Sequence, residues 1–596
     1  MSELQGLEIR LTKLESGGSK PRRSQGVMEF HISRQARDYY EFDQGLYSLT
    51  GNVILPNFLA VRVFAKKIND KRDLLANPEQ AILPGQLNAM GLIDEILHYV
   101  AELYREEKGV TLFSQALKSA EDRLGKKEVD SMLLYFVDNF PGLEVYKGSL
   151  SSASYLAGQS EGVSHRELVM EEIILLWLAN ANPAFAPWKE LFDDEPMGKA
   201  TVYGKFIPVL KDFFESAPHF GPDSQNLLDM LRSPAIAVPD SLHGQLNYIK
   251  EKWGMLLGKF LRRLLSSLDF MKEEERLFWK GGFTKSEGYD KSLAYDGQEH
   301  EVEAFSADKE WMPKVILLAK STLVWLDQLS KKYGRDIKRL DQIPDAELDI
   351  MARQGFNALW FIGLWERSKA SKKIKQMCGN PEAEASAYSL YDYEIAWELG
   401  GWEAMNNLRE RCWRRGIRVA SDMVPNHTAM DSKWISQHPD YFLSLDNCPF
   451  PTYSFNGPDL SQDPNVEVKL EDHYYDRSDA SVVFLHKDKR TNQHRFIYHG
   501  NDGTSMPWND TAQINYLNPE AREAIIQIIL NVARNFPIIR FDAAMTLAKK
   551  HVQRLWFPIP GSGGDIATRA EHGMSNEEFN RILPVEFWRE VVDRVA

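Results

Sequence analysis

An arginine and an aspartate two positions apart form the most reactive pair in this sequence. Arg540 and Asp542 close an apolar run that begins at residue 536. Side chains alternate along a strand, so these two share one face of it. A neighbouring guanidinium holds a carboxylate in place and favours its ionised form. An oriented, ionised carboxylate at a strand end is suited to nucleophilic attack, so the pair predicts a carboxylate nucleophile at Asp542.

Two further polar motifs follow apolar runs in the same half of the chain. Asp422, Asn426 and His427 lie at the end of the run 417–423, and Tyr388 lies between the run 356–362 and a helical stretch starting near Trp402. In barrels of alternating strands and helices, the carboxyl ends of the strands carry the catalytic groups. We therefore expect the three motifs to meet at one edge of a sheet.

The elements that must position these motifs alternate between strand and helix. The strands are predicted at 356–362, 417–423 and 536–542, and the helices at 344–353, 402–415 and 520–534. Buried strands that alternate with helices are typical of a parallel sheet. About ninety residues separate the strand at 417–423 from the next helix, which is too long for a structureless loop. We predict a small inserted domain at 428–517, with a strand pair at 482–486 and 495–499.

Residues 1–300 are predicted to be a mostly α-helical N-terminal domain. Apolar residues recur at helical spacing in several stretches, and the most apolar stripe, 246–268, predicts one continuous helix. The charged, glycine-containing stretch 280–309 is typical of a linker. No chemical motif occurs in this half, so its expected role is packing or interaction with a partner.

Composition limits the partners and the compartment. The net charge of −14 argues against nucleic-acid binding through a general basic field and against an anionic membrane surface. There are three cysteines and no CxxC motif, which is typical of free thiols in a reducing compartment. The first residues contain no apolar signal-peptide core. The expectation is a soluble, cytoplasmic protein with no nucleic-acid or membrane partner.

Together the ordered motifs resemble the α-amylase superfamily, glycoside hydrolase family 13, over roughly residues 312–596. Asp422 with Asn426-His427 resembles the signature after the third strand, and Arg540-Phe541-Asp542 the signature after the fourth. The resemblance implies an α/β fold, a (β/α)8 TIM-type barrel with an inserted domain B after strand 3. Only the first four strands of that barrel are expected in 312–596, after the helical domain 1–300.

The resemblance also implies roles for the motif residues. Asp542 would be the catalytic nucleophile of a retaining mechanism with a covalent glycosyl intermediate, and Arg540 would orient it. Four residues would bind substrate, with Tyr388 stacking on the sugar ring: Tyr388, Asp422, His427 and His551.

No cofactor is required by the resemblance. In many members of the family the asparagine at the position of Asn426 binds a structural calcium. Gln513 and Asn515 stand where an acidic residue is common, which leaves fewer charged oxygen ligands for a cation.

A retaining glycosidase also needs a second carboxyl group as acid/base. In the family this is a glutamate after the fifth strand, followed later by an aspartate. After Asp542 the sequence predicts a glycine-rich loop and a helix at 584–596, striped by Val585, Trp588, Val592 and other apolar residues. We expect the missing acids in a C-terminal remainder of the same polypeptide, and we expect residues 1–596 alone to show no glycosidase activity.

Three functions follow from these expectations. The first is a retaining α-glycosidase acting on an α-glucan or α-glucoside. The second, a transglycosylase or α-glucoside isomerase, shares the first half-reaction with it. The third, from another class, is a non-catalytic glucan-binding or scaffolding protein.

Overall fold

The computed structural model describes most of the chain: residues 28–43, 46–47, 52–55, 58–74, 77, 80–160, 162–278, 310–450, 452–503, 506–562, 566 and 568–595. The predicted linker at 280–309 lies outside these residues. Two compact units are present, Met1–Glu275 with Pro560–Gly563, and Arg276–Ile559 with Gly564–Ala596. Each has its own hydrophobic core. The predicted domain limits, 1–300, 312–596 and 428–517, stay predictions.

The first unit is mainly helical in its described residues. It also contains two antiparallel strand pairs, Met28–His31 with Asn52–Leu55 and Gln159–Ser160 with Val163–Ser164. Its helices are Arg34–Tyr40, Phe58–Asn69, Pro84–Lys108, Leu112–Leu124, Lys126–Asn139, Leu143–Tyr146, Ser152–Leu156, His165–Asn180, Lys189–Phe192, Glu195–Ala200, Tyr203–Glu215, Leu227–Ala237, Leu242–Trp253 and Leu261–Phe278.

One prediction for this unit is wrong. The apolar stripe 246–268 does not form a continuous helix, because the chain leaves the helix after Trp253 and resumes at Leu261. A turn with a short 3-10 segment at Gly258–Phe260 separates the two helices. Buried residues continue through the break, which is why the periodic pattern hid it.

In the part of the chain that the structure describes, no single helix has both the length and the apolar composition of a membrane span; the helices His165–Asn180 and Pro183–Phe192 meet that test only as a pair bent by 100°.

A four-stranded parallel sheet forms the centre of the second unit. Its strands lie side by side in chain order: the first strand, Leu317–Ser321; the second, Ala358–Ile362; the third, Arg418–Met423; and the fourth, Ile538–Phe541. The helices of this sheet are Thr322–Tyr333, Asp345–Arg353, Lys369–Met377, Gly401–Trp413 and Pro519–Asn535. Gly416 adopts φ +69° after the fourth of these helices, as expected for a helix stop. The mixed helix-and-sheet architecture agrees with the prediction, whereas the half-barrel stays a prediction.

Between the third and fourth strands the chain builds a separate antiparallel sheet. Its strands, in spatial order, are Ser444–Leu445, His494–Tyr498, Val483–Asp488 and Val466–Lys469. A further pair, His427–Ala429 with Thr511–Gln513, joins the start of this insertion to its end. The insertion also contains the helix Lys433–Gln437.

Helices follow the fourth strand in its described continuation: Lys549–Trp556, Asn576–Ile582 and Phe587–Val595. The predicted apolar stripe of the last helix is partly wrong. Phe587 and Val591 are buried, but Val585, Val592 and Val595 are about half exposed. The packed face therefore runs through Phe587 and Val591, with Trp588 partly buried beside it.

Candidate active site

The register of the sheet places the predicted motifs side by side. Arg540 on the fourth strand lies directly opposite Asp422 on the third. The backbone N–H of Asp542 donates to the carbonyl of Met423 at 2.8 Å, which continues the ladder beyond the strand. The next residue, Ala543, adopts φ +52°, a left-handed conformation that is uncommon for a side chain with Cβ. The chain thus turns sharply just after Asp542.

The Arg540 guanidinium is the centre of the site. Its Nη1 lies 2.6 Å from Asp542 Oδ1 and 3.4 Å from Asp422 Oδ1. The same guanidinium lies over the rings of Tyr388, at 5.2 Å, and Trp360, at 5.6 Å. Cation–π contacts and charged hydrogen bonds together fix its orientation. One arginine therefore holds both carboxylates and two aromatic rings.

Asp422 is the buried member of the carboxylate pair. Its side chain is 2% exposed, against 19% for Asp542, and its Oδ2 has no hydrogen-bond partner among the described residues. Burial raises the pKa of Asp422 to about 6; the Trp360 side chain and Arg540 oppose the shift, and the charge of Asp542 adds a little to it. Asp422 thus lies beneath the site, and Asp542 is its accessible carboxylate.

His427 lies against this centre from the start of the insertion. It is 3% exposed, and burial lowers its pKa although Asp542 and Asp510 oppose the shift. Its Nε2 lies 3.2 Å from the carbonyl oxygen of Tyr388. A carbonyl can only accept, so we assign the proton to Nε2 of a neutral ring. In this arrangement the Nε2–H of His427 is bonded to the backbone of Tyr388, and the predicted substrate-binding role of His427 stays a prediction.

The end of the insertion closes over the other side of His427. The ring of Trp508 lies 5.0 Å from the imidazole, centroid to centroid. Gly500 faces the same ring, and a Cβ added there would approach His427 Cβ to 3.1 Å and Thr511 Oγ1 to 2.7 Å. Any residue with a Cβ at this position would therefore have to displace the Thr511 hydroxyl and would press against His427.

Tyr388 precedes a strand that the sequence pattern did not predict. Leu390–Ile395 pairs antiparallel with Trp365–Arg367, just beyond the second parallel strand. The three tyrosines in residues 388–393 hid the alternation of apolar and polar side chains that would have predicted this strand. Burial, chiefly, raises the pKa of Tyr388, and Asp422 adds to the shift. Its ring is partly buried against Arg540, and the predicted stacking on a sugar stays a prediction.

The surroundings of Asn426 do not suit a calcium ion. Its Nδ2 donates to Gln513 Oε1 at 3.3 Å, and its Oδ1 accepts from Gln513 Nε2 at 3.2 Å and from Thr546 Oγ1 at 3.1 Å. Calcium prefers six to eight oxygens that include carboxylates. These partners of Asn426 are neutral and already bonded to it. No group of three or more acidic, histidine or cysteine side chains in the described ranges is arranged to hold a metal.

His551 is the one predicted site residue that the structure does not bring to this centre. It lies in the first turn of the helix Lys549–Trp556. Burial, Arg554 and Lys550 all lower its pKa. Among the described residues it makes no hydrogen bond or ion pair with the Arg540 centre. Its substrate-binding role therefore stays a prediction without geometric support.

Several residues of the site are not predicted by the sequence pattern. Trp360 could have been found, because alternation along the second strand places it on the face that meets Arg540. Nothing in the sequence pattern around Trp508 and Gly500 indicated that they belong to the site. They lie more than seventy residues from His427 in an irregular part of the insertion, and only the folded chain brings them together.

Comparison with known proteins identifies part of this unit. Residues 345–535 match the family model described as alpha amylase, catalytic domain. That match ends before Arg540 and Asp542, so the roles of these two residues depend on geometry and on the sequence motif. No curated protein matches the chain.

The solved structures that resemble the chain are distant. An alpha-amylase from Lactobacillus plantarum is 15% identical, with 40% of each chain covered and a TM-score of 0.24. Trehalose-6-phosphate hydrolase from Bacillus licheniformis is 16% identical, with 46% of this chain and 42% of that one covered and a TM-score of 0.28. This chain spans about 40% of the length of such structures. The known family that this chain matches, over residues 345–535, is therefore the α-amylase catalytic domain.

Proposed function

We propose that the second unit belongs to a retaining enzyme that acts on α-glucosidic bonds, with Asp542 as its nucleophile. The observation that carries the proposal is the position of Arg540. One guanidinium binds Asp542 at 2.6 Å while it contacts Asp422 and Tyr388, so three separated motifs meet at one partly exposed carboxylate.

In the proposed half-reaction, an Asp542 carboxylate oxygen attacks the anomeric carbon of the sugar. A carbon–oxygen ester bond forms, and the bond to the leaving oxygen breaks with its electron pair. The leaving oxygen takes a proton from a second carboxyl group, which in retaining enzymes stands ~5–5.5 Å from the nucleophile. Asp422 is too deeply buried to reach a leaving group, and its proposed role is to hold Arg540.

The family includes enzymes that finish this reaction in different ways. Transfer of the glycosyl group to water gives a glycosidase, and transfer to a sugar hydroxyl gives a transglycosylase or isomerase. Both begin with the same ester, so the Asp542 centre supports either. A glucan-binding or scaffolding protein with the same fold would bind sugar and form no ester.

A substrate that needs no acid separates these functions. We would use an α-glucosyl fluoride with a second fluorine on the ring, because fluoride leaves without protonation and the extra fluorine slows hydrolysis of the ester. A covalent fluoroglucosyl group on Asp542 supports the enzyme. Its release by water alone indicates a glycosidase, and faster release by added maltose indicates a transferase. Binding of maltooligosaccharide without any ester indicates the non-catalytic protein.

The proposed substrate is an α-glucan or α-glucoside. The cytoplasmic location and the lack of nucleic-acid and membrane partners stay predictions.

A further inference from the structure

A group of titratable side chains lies buried in the first, helical unit, far along the sequence from the Asp542 centre. We call it the acid–histidine cluster, and its members are Glu29, His31, Asp94, His98, Glu171 and Glu172. Five of them are at most 9% exposed, and the His98 side chain is 12% exposed. Burying carboxylates is costly unless their charge is compensated, so a core of this kind needs an explanation.

Short distances join the cluster across three elements. Glu172 Oε2 lies 2.9 Å from His31 Nε2 and 3.5 Å from His98 Nε2. His98 Nε2 lies 3.7 Å from Asp94 Oδ2, and His98 Nδ1 lies 3.7 Å from Glu171 Oε1. Glu172 thus stands between the two imidazoles, and His98 stands among three carboxyl groups.

The strand pair enters the cluster from one side. His31 and Glu29 lie on the strand Met28–His31, and Asn52, opposite His31, begins the partner strand. Asn52 Nδ2 donates to Glu172 Oε2 at 3.1 Å. The helices Pro84–Lys108 and His165–Asn180 supply the other members. The cluster therefore fastens the strand pair Met28–His31 and Asn52–Leu55 to these two helices.

The charges do not balance if every acid is ionised. Four carboxyl groups face His98, His31 and Arg105, which forms an ion pair with Glu171. Even with both histidines protonated, the carboxyl groups outnumber the positive side chains. At least one acid must keep a proton, or negative charge is left uncompensated in the core.

The same contacts determine how the members titrate. Burial lowers the pKa of His98, but Glu172, Glu29, Glu171 and Asp94 outweigh it and hold the pKa well above its usual value. Burial raises the pKa of Asp94 to about 6 and also raises that of Glu29. Burial would raise the pKa of Glu171 as well, but His98 and Arg105 lower it overall.

We propose that the acid–histidine cluster is a proton-operated latch, in which a protonated His98 holds the strand pair onto the helices and a rise in pH releases it. As pH rises, His98 loses its positive charge while Asp94 and Glu29 gain negative charge. All three changes disfavour the docked strands. The contribution of His98 is present in full below its unfolded pKa of ~6.5 and is lost as pH rises through the raised value.

Protons suit this cluster better than a metal ion. Among the described residues, no three of its acidic and histidine side chains are arranged to hold a metal. Charge balance through bound protons needs no such arrangement. A bound metal is the competing explanation, and the experiment below distinguishes it.

The test is hydrogen exchange of the strand amides 28–31 and 52–55 in the intact 596-residue protein, at pH values from about 6 to about 9. After correction for intrinsic exchange, we expect opening to increase at least ~tenfold over this range, the effect of a pKa shift of one unit. The variant His98→Gln cannot gain the charge, so its opening should depend less steeply on pH, with only Asp94 and Glu29 left to titrate. The matched control His219→Gln changes an exposed histidine of the same unit and should leave the profile unchanged.

A second variant covers the case in which His98→Gln fails to fold. Asp94→Asn imitates the protonated acid and should reduce opening at the alkaline end. Two results would overturn the latch. One is strand opening that does not change with pH in the unmodified protein, and the other is opening in Asp94→Asn that equals that of the unmodified protein at every pH. The latch would also be overturned by a stoichiometric metal in the purified protein whose removal by a chelator opens the strands at constant pH. None of these measurements depends on glycosyl chemistry, so the latch and the proposed enzyme fail independently.

Discussion

At the scale of a single residue, the burial of the Asp422 carboxyl lowers the stability of the protein. Its carboxyl is almost fully buried, and Oδ2 has no hydrogen-bond partner in the described structure. Because burial raises its pKa from 3.8 to about 6, ionised Asp422 opposes folding as pH rises through this interval. A shift of this size corresponds to about 3 kcal/mol at neutral pH, as an upper limit. The proposed reason for this carboxylate is that it holds the Arg540 guanidinium in position.

Replacing this carboxyl should therefore stabilise the protein while it impairs the site. We expect Asp422→Asn to raise the free energy of unfolding by about 1–3 kcal/mol at pH 8. At pH 4.5 the difference should shrink, because the native carboxyl is then protonated. Urea unfolding at both pH values measures this. Equal effects at the two pH values would show that Asp422 is not buried as described.

At the scale of elements, the approach of two loops determines where His427 lies. Gly500 leaves no room for a Cβ beside His427 and Thr511. We expect Gly500→Ala to cost about 1–3 kcal/mol through overpacking and to displace the imidazole from Tyr388. Imidazole NMR signals and urea unfolding check both effects. Gly204→Ala, at a position with open space and no positive φ, is the control and should not destabilise the protein. An unmoved His427 would contradict the packing described.

A second element-scale prediction concerns the helix Lys549–Trp556. The carboxylate of Glu586 accepts from the backbone N–H of Lys549 at 3.0 and 3.1 Å, as a cap supplied from outside the helix. Glu586→Gln should lower the free energy of unfolding by about 1 kcal/mol, because the helix start favours negative charge. The exposed Glu382→Gln is the matched control. Equal free energies of unfolding for the two variants would contradict the stabilising role of the Glu586 carboxylate.

Residue patterns predicted the parallel strands of the second unit well, but they predicted the loops and short strands around the site poorly. The second, third and fourth parallel strands were predictable because they are short apolar runs with helices between them. Arg540 and Asp542 were predictable from spacing of two along a strand. The pairing of Leu390–Ile395, the contact of Trp508 with His427 and the helix break after Trp253 were not. Each depends on contacts between distant segments, which a local pattern does not record.

At the scale of the whole molecule, two hydrophobic cores predict two unfolding steps. We expect calorimetry to resolve a transition for each unit. Asp422→Asn should raise one transition at pH 8 and leave the other in place, while His98→Gln should change only that other one. A single transition that both variants shift would show that the two units unfold together.

Covalent labelling would show directly whether Asp542 is the nucleophile. The protein is incubated with the fluorinated glucosyl fluoride, and its peptides are analysed by mass spectrometry. We expect one fluoroglucosyl ester, on Asp542. Asp542→Asn should lower the labelling rate by on the order of 10⁴-fold or more, whereas the exposed control Asp336→Asn should label normally. Unchanged labelling of Asp542→Asn, or an ester on another carboxylate, would contradict the assignment of Asp542 as the nucleophile.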